Sequence, residues 1–230
     1  MTLICLQAGH ENTKDNCVPA LRTSTGAPGE VELTVRIRNR LSQVLISKGF
    51  QIQLVDATFN CNPNRTKDFN LFLALHGDAD YAGDNGSGFV DYPDPSVDAS
   101  NAESKRIKEA IESEYFNHSG IANIPHSNTN TKFYYMWREL SAKTPCVLIE
   151  MGQVQDPHDR VILADTDRVA NAIARGVCKA FGVPFEAVPP TPPIVDYKKF
   201  LYDIKTVVYG KGFVWQKMAR VKAILAQSGV

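Results

Sequence analysis

Two short segments of this chain are almost wholly apolar: Asn70–Leu75 (NLFLAL) and Cys146–Ile149 (CVLI). A strand with one face in water alternates apolar and polar residues. A strand apolar along its length is buried on both faces, which requires a sheet with layers packed on both sides. These runs are also too short for helices. Further strand patterns lie at Leu3–Leu6, Phe50–Val55 and Gly88–Tyr92. Helical spacing falls between them. In Val31–Lys48, Leu33, Ile37, Leu41, Val44 and Leu45 recur on one face and Gly49 ends the pattern. Ala102–Tyr115, Phe133–Leu140 and Arg160–Phe181 also read as helices. Strands alternating with helices predict an α/β domain, a twisted and mostly parallel sheet with helices on both faces.

The domain is predicted to span residues 1–187. Val188–Ile194 (VPPTPPI) has four prolines in seven residues and reads as a stiff linker. Residues 195–230 carry two apolar helical stripes separated by Gly210-Lys211-Gly212, a small helical hairpin. A piece this short rarely folds alone, so it is expected to dock, to dimerise or to belong to a longer module. It holds seven basic and two acidic residues, while the whole chain balances 25 against 25. The basic hairpin suits an anionic polymer or is simply a solvated helix face. The first 194 residues are net acidic and carry no recognition motif, which argues against nucleic-acid binding. No apolar run reaches the ~18–20 residues of a membrane span. The start, MTLICLQAGH, lacks the basic and long apolar regions of a secretory signal. The five cysteines include no CxxC pair. Cys5 and Cys146 sit in strand runs as small hydrophobes; Cys17 and Cys61 are loop residues whose pairing stays open.

Ligands of open α/β sheets collect beyond the C-terminal ends of the strands. The first strand runs out at Gln7-Ala8-Gly9-His10, NLFLAL ends in His76, and CVLI ends in Glu150. Three strong metal or acid–base side chains thus occupy equivalent positions. Glu30 opens the first helix on the face of Leu33, Ile37 and Leu41, so its carboxylate points inward and needs a cation. Glu32 lies on the polar face instead. His10, Glu30 and His76 form a two-histidine, one-carboxylate set of the kind that holds catalytic zinc with a position left open. Glu150 then remains for proton transfer. His118, His126 and His158 read as loop residues, and Tyr135 and Trp137 as core.

These residues resemble the zinc-dependent N-acetylmuramoyl-L-alanine amidases of the amidase-3 type. The resemblance is carried by AGH ending at His10, GEVELTVRIRNRL with Glu30, and DFNLFLALHGDAD around His76. GFVDYP at Gly88–Pro93 and PCVLIEMGQVQDPHD around Glu150 complete it, over roughly residues 2–183. It implies that His10, Glu30 and His76 bind one zinc ion and that Glu150 is the catalytic glutamate. The implied reaction is hydrolysis of the amide between N-acetylmuramic acid and L-alanine in peptidoglycan. The chain departs from the usual family pattern at Gln7-Ala8, at Gly77-Asp78-Ala79, and at Gly152-Gln153 and Asp156. An amidase without a signal peptide and with a basic module behind a proline linker looks like a phage endolysin. Such a protein is made in the host cytoplasm and acts on the wall after release, its tail bound to anionic wall polymers or to a second copy. Two other readings stay open: a zinc peptidase cutting stem or cross-bridge peptides, and a non-catalytic peptidoglycan-binding protein.

Overall fold

The computed structural model describes residues 2–11, 26–57, 68–79, 88–93, 101–124, 140 and 144–186. All belong to the first of two units into which the chain divides, Met1–Val188. The linker, the C-terminal hairpin, Cys17, Cys61, His126, Tyr135, Trp137 and nearly all of the Phe133–Leu140 helix lie outside the described residues.

The described strands are β1 (Leu3–Ala8), β2 (Gln51–Val55), β3 (Leu71–Asp78), β4 (Phe89–Asp91) and β5 (Cys146–Gln153). They form a sheet in the order β2-β1-β3-β5-β4. The β1–β2, β1–β3 and β3–β5 pairs are parallel, and β4 closes one edge antiparallel to β5. The central strands β1 and β3 are buried on both faces, as their apolar runs require.

Four helices complete the described fold: α1 (Glu30–Ser47), α2 (Asn101–Ser119), α3 (Pro157–Ala164) and α4 (Thr166–Ala180). Their apolar faces join Ile4, Leu6, Leu71, Leu73, Leu75, Val147 and Ile149 in one core on one side of the sheet. The alternate strand residues Cys5, Phe72, Ala74, Cys146 and Leu148 face the other side with Phe69 and Phe89. Leu140 packs there, the last residue of the segment read as a helix from sequence.

Three sequence expectations are corrected. The single helix expected over Arg160–Phe181 is two helices, α3 starting earlier at Pro157 and α4 starting at Thr166. Asp165 lies between them and caps α4 by accepting from Arg168 N–H at 3.0 Å. Apolar spacing continues across Asp165 and hides the break; a short polar side chain that bonds the backbone locally makes it. His118 is not beyond a helix but in the last turn of α2, beside Glu114 at 3.2 Å. His158 is not in a loop but in the first turn of α3, with an exposed ring.

Candidate metal centre and catalytic carboxylate

The β1 ladder carries on one residue past the strand, where Gly9 N–H donates to Leu75 O at 2.8 Å. His10 then turns out of the sheet with φ +58°, a left-handed conformation that costs a side-chain-bearing residue energy. Thr34 from α1 holds this corner by donating its hydroxyl to Gly9 O at 3.2 Å. Glu30 is the first residue of α1 and is buried, whereas Glu32 is exposed. One carboxylate oxygen, Oε2, accepts from Ala27 N–H at 2.8 Å; the other, Oε1, accepts from Gly77 N–H at 3.2 Å. Oε1 also lies 3.1 Å from His76 Nδ1 and 3.5 Å from His10 Nε2. The two rings meet edge to face, with centroids 5.1 Å apart.

One donor atom from each of His10, Glu30 and His76 thus falls within 4.8 Å of the others. Two ligands of a tetrahedral zinc ion, each ~2.0–2.2 Å from it, are about 3.3–3.6 Å apart. The 3.5 Å from Glu30 to His10 is of that size and the 3.1 Å from Glu30 to His76 is slightly shorter, and the donor set is one zinc accepts, so the residues present fit the ion. The cradle is tight: a Cβ on Gly9 would stand 2.5 Å from the His76 ring. Burial alone would push Glu30 up, but the hydrogen bond from His76 and the charges of His76 and His10 outweigh it. The carboxyl is held below its usual range.

Glu150 is not the last residue of its strand, nor is His76. The β3–β5 pairing passes through His76↔Glu150 and, after a register shift, reaches Asp78↔Gln153. The shift is a bulge of one extra residue in β5. Met151 is part of the core on the helical side, and a Cβ on Gly152 would meet Ile121, Leu163 and Asp159 on that same side. Two successive residues therefore face the helices, which is possible because Gly152 adopts φ +142°. The bulge is pinned from that side. The buried Tyr115 hydroxyl of α2 donates to Met151 O, and Asp159 Oδ2 of α3 accepts from Gln153 N–H at 3.0 Å. Asp159 is itself fixed where Asp156 caps α3, accepting from His158 and Asp159 N–H groups at 2.9 and 2.8 Å. Asp156, His158 and Asp159 also converge closely enough to suggest a second metal group. One oxygen of each carboxylate, however, is taken by these backbone donors.

Glu150 Oε2 is buried and has no hydrogen-bond partner. Burial pushes its carboxyl well above the ordinary range, and the negative Glu30 and Asp78 push it the same way. A carboxyl so placed accepts a proton readily, as a general base must. A cleft of about 470 Å³ lies between the start of α1 and α3, lined by Pro28, Leu33, Arg36, Val154, Arg160 and Leu163, and none of His10, Glu30, His76 or Glu150 lines it.

The structure thus brings His10, Glu30 and His76 together and sets Glu150 level with His76 on the adjoining strand. Sequence reasoning missed Tyr115, Asp159 and Thr34. Tyr115 entered only as the end of a helical segment, and Asp159 and Thr34 were given no role of their own. The one available signal was Asp156-Pro157 with Asp159 three residues on, a helix-start pattern.

The family model of N-acetylmuramoyl-L-alanine amidases, Amidase_3, matches residues 4–180. A comparison with curated proteins returned no match. Among solved structures, the chain is similar to the catalytic domain of CwlV, an N-acetylmuramoyl-L-alanine amidase from Bacillus (Paenibacillus) polymyxa var. colistinus. That match has 17% identity and a TM-score of 0.60, over 80% of this chain and 100% of that one. Ami1 from Mycobacterium smegmatis matches at 18% identity and TM-score 0.58, over 79% and 97%. The catalytic domain of the CD27L endolysin targeting Clostridia difficile matches at 15% and 0.58, over 78% and 98%. These structural likenesses speak to the fold; the family match spans more than three quarters of the chain, and the chain belongs to the amidase-3 family of N-acetylmuramoyl-L-alanine amidases.

Proposed function

We propose that this amidase is a zinc enzyme that cleaves the amide joining the lactyl group of N-acetylmuramic acid to the L-alanine of the stem peptide. His10, Glu30 and His76 would hold the ion and Glu150 would move the proton. The observation that carries the reading is the convergence of those three donors within 4.8 Å, with Glu150 paired to His76 across β3 and β5.

Zinc in such a site supplies a Lewis acid for a carbonyl and brings the acidity of water near neutral. Glu30 offsets part of the ion's charge and, by binding the Ala27 and Gly77 amides, keeps its own carboxylate from turning away. Glu150 takes a proton from the attacking water as that oxygen bonds to the lactyl carbonyl carbon. As the carbon–nitrogen bond breaks, Glu150 gives the proton to the departing L-alanine amine, leaving a lactyl carboxylate and a free stem peptide. The cleft with Arg36 and Arg160 between α1 and α3 suits the carboxylates of a stem peptide.

The basic segment 195–230 would hold the enzyme on anionic wall polymers, and the whole would act as a phage endolysin that lyses the wall. The test is digestion of purified peptidoglycan with metal-loaded and chelator-stripped protein, with mass spectrometry of the products. Stem peptides beginning with L-alanine, released only with metal, are expected. New amines elsewhere in the stem or cross-bridge would make it a peptidase. Binding without cleavage across several wall types would make it a non-catalytic wall protein. Deletion of 188–230 is expected to lower binding to walls that carry anionic polymers.

A further inference from the structure

Gln153 is the one buried side chain among the described residues whose polar atoms are all without a partner. It is 0% exposed, and neither Nε2 nor Oε1 makes a hydrogen bond. Buried carboxamides in folded proteins are nearly always bonded. An apolar side chain of the same size would fill this place without leaving polar atoms unpaired. Core packing therefore does not account for a glutamine here.

The bulge in β5 does. In a regular strand, residues three apart point to opposite faces, so Gln153 would point away from Glu150. The extra residue reverses this. Met151 and Gly152 both face the helices, and Gln153 returns to the face of its register partner Asp78. On β3, Asp78 shares that face with His76, the partner of Glu150, because Gly77 between them faces Leu33 and the stem of Glu30. Gln153 and Glu150 are thus next neighbours on one face, at the separation of an i, i+2 pair in a regular strand, about 7 Å between Cα atoms. Long side chains reach each other across that gap. Glu150 Oε2 is the other buried, unpartnered polar atom there. It is an acceptor; Gln153 Nε2 carries two donor hydrogens.

We propose that Gln153 is a positioning residue for Glu150: its carboxamide N–H donates to Glu150 Oε2 through one buried water. Such a site is polar enough to hold a water, which needs two to four partners. The bulge, fixed by Tyr115 and Asp159, sets the spacing at which this bond forms. The inference rests on the assignment of Glu150 as the proton carrier.

The test compares Gln153→Leu with the full-length, metal-loaded wild type. Gln153→Leu is expected to keep its metal and its folding stability, to lose about 10- to 100-fold in kcat, and to keep KM within twofold. Gln153→Asn, which reaches through a water, is expected to recover part of the loss. In a Glu150→Ala background Gln153→Leu is expected to change nothing further, because it acts through Glu150. Wild-type kcat in Gln153→Leu would overturn the proposal, as would an equal loss in both backgrounds. If Gln153→Leu fails to fold, Gln153→Met replaces it. A second readout does not depend on turnover. The Gln153 side-chain amide signals in a ¹⁵N NMR spectrum, assigned by their loss in Gln153→Leu, should shift and exchange faster in Glu150→Ala. Unchanged signals would also overturn the proposal. If the wild type releases no stem peptides, the proposed reaction fails, and the NMR comparison still decides whether Gln153 bonds Glu150.

Discussion

Gly9→Ala should cripple the proposed metal site by adding one methyl group. Gly9 does not have a positive φ, so alanine can adopt its backbone. The obstacle is space. The new Cβ would stand 2.5 Å from both Cε1 and Nδ1 of His76 and 2.8 Å from Leu75 O, whereas ordinary contact begins at 3.4 Å. Leu75 O cannot give way without breaking the β1–β3 ladder, because it accepts the Gly9 N–H at 2.8 Å. The imidazole must therefore retreat by about 1 Å, set against a tolerance of about ±0.2 Å in a metal–ligand bond. A displacement several times that tolerance should cost at least the 10–100-fold in affinity seen when groups supporting a ligand are removed. Overpacking adds about 1–3 kcal/mol of destabilisation. Zinc affinity would be measured by competition with a calibrated chelator, and stability by urea unfolding of the metal-free form. Gly49→Ala is the control: φ is +89° and nothing lies within 4 Å of its Cβ. It should cost about 1 kcal/mol of backbone strain and leave zinc affinity alone. If Gly9→Ala binds zinc as tightly as the wild type, His76 does not hold the ion where the geometry puts it.

Alanine at His10, Glu30 or His76 is expected to abolish both zinc retention and turnover, read by metal analysis and product release. Glu150→Ala should retain zinc while turnover falls about 10²–10⁴-fold, and loss of metal in that variant would contradict the division of roles. Tyr115→Phe leaves Met151 O buried without its donor and should cost about 1–3 kcal/mol in urea unfolding. Gly176→Ala would place a Cβ 2.5 Å from Ile111 Cα, so the packing of α2 on α4 should loosen by about 1–3 kcal/mol with zinc affinity unchanged. In the metal-free protein Glu150 has a raised folded pKa, so its protonated form is the one the fold favours. Its contribution to stability is then fullest below about pH 4.5, the unfolded value, and is lost as pH rises through the folded pKa. Glu150→Gln should flatten that decline; an unchanged pH profile would place Glu150 in a more solvated setting.

The strands and the inward carboxylate were legible in the sequence because each has a local cause. An apolar run such as NLFLAL can be satisfied only inside a layered sheet, and Glu30 shares the buried stripe of Leu33, Ile37 and Leu41 by helical spacing alone. His10, His76 and Glu150 come from asking what lies where strands run out, a question of chain order. Helix boundaries were less legible where two causes compete. From Arg160 to Phe181 the apolar period never lapses, yet Asp165 bonds the backbone of the next turn and splits the segment.

The β5 bulge is the feature the sequence hides, and it separates a residue that is near Glu150 in sequence from one that acts with it. Read as a plain strand, Glu150 and Gln153 diverge, and Gln153 looks like a polar residue at a strand end. Nothing local announces the extra residue except Gly152, and glycine has many uses. The bulge is determined by partners distant in the chain: Tyr115 on α2, 36 residues from Met151, and Asp159 across the turn into α3. Their two hydrogen bonds hold a register that β3 alone would not enforce. Strand periodicity therefore locates Glu150, the proposed proton carrier, but not its proposed support, because that support depends on a register that only tertiary contacts fix. Loosening that register through Tyr115→Phe should thus lower kcat as well as stability, whereas the Gly176→Ala change, of similar cost but remote from β5, should lower stability alone.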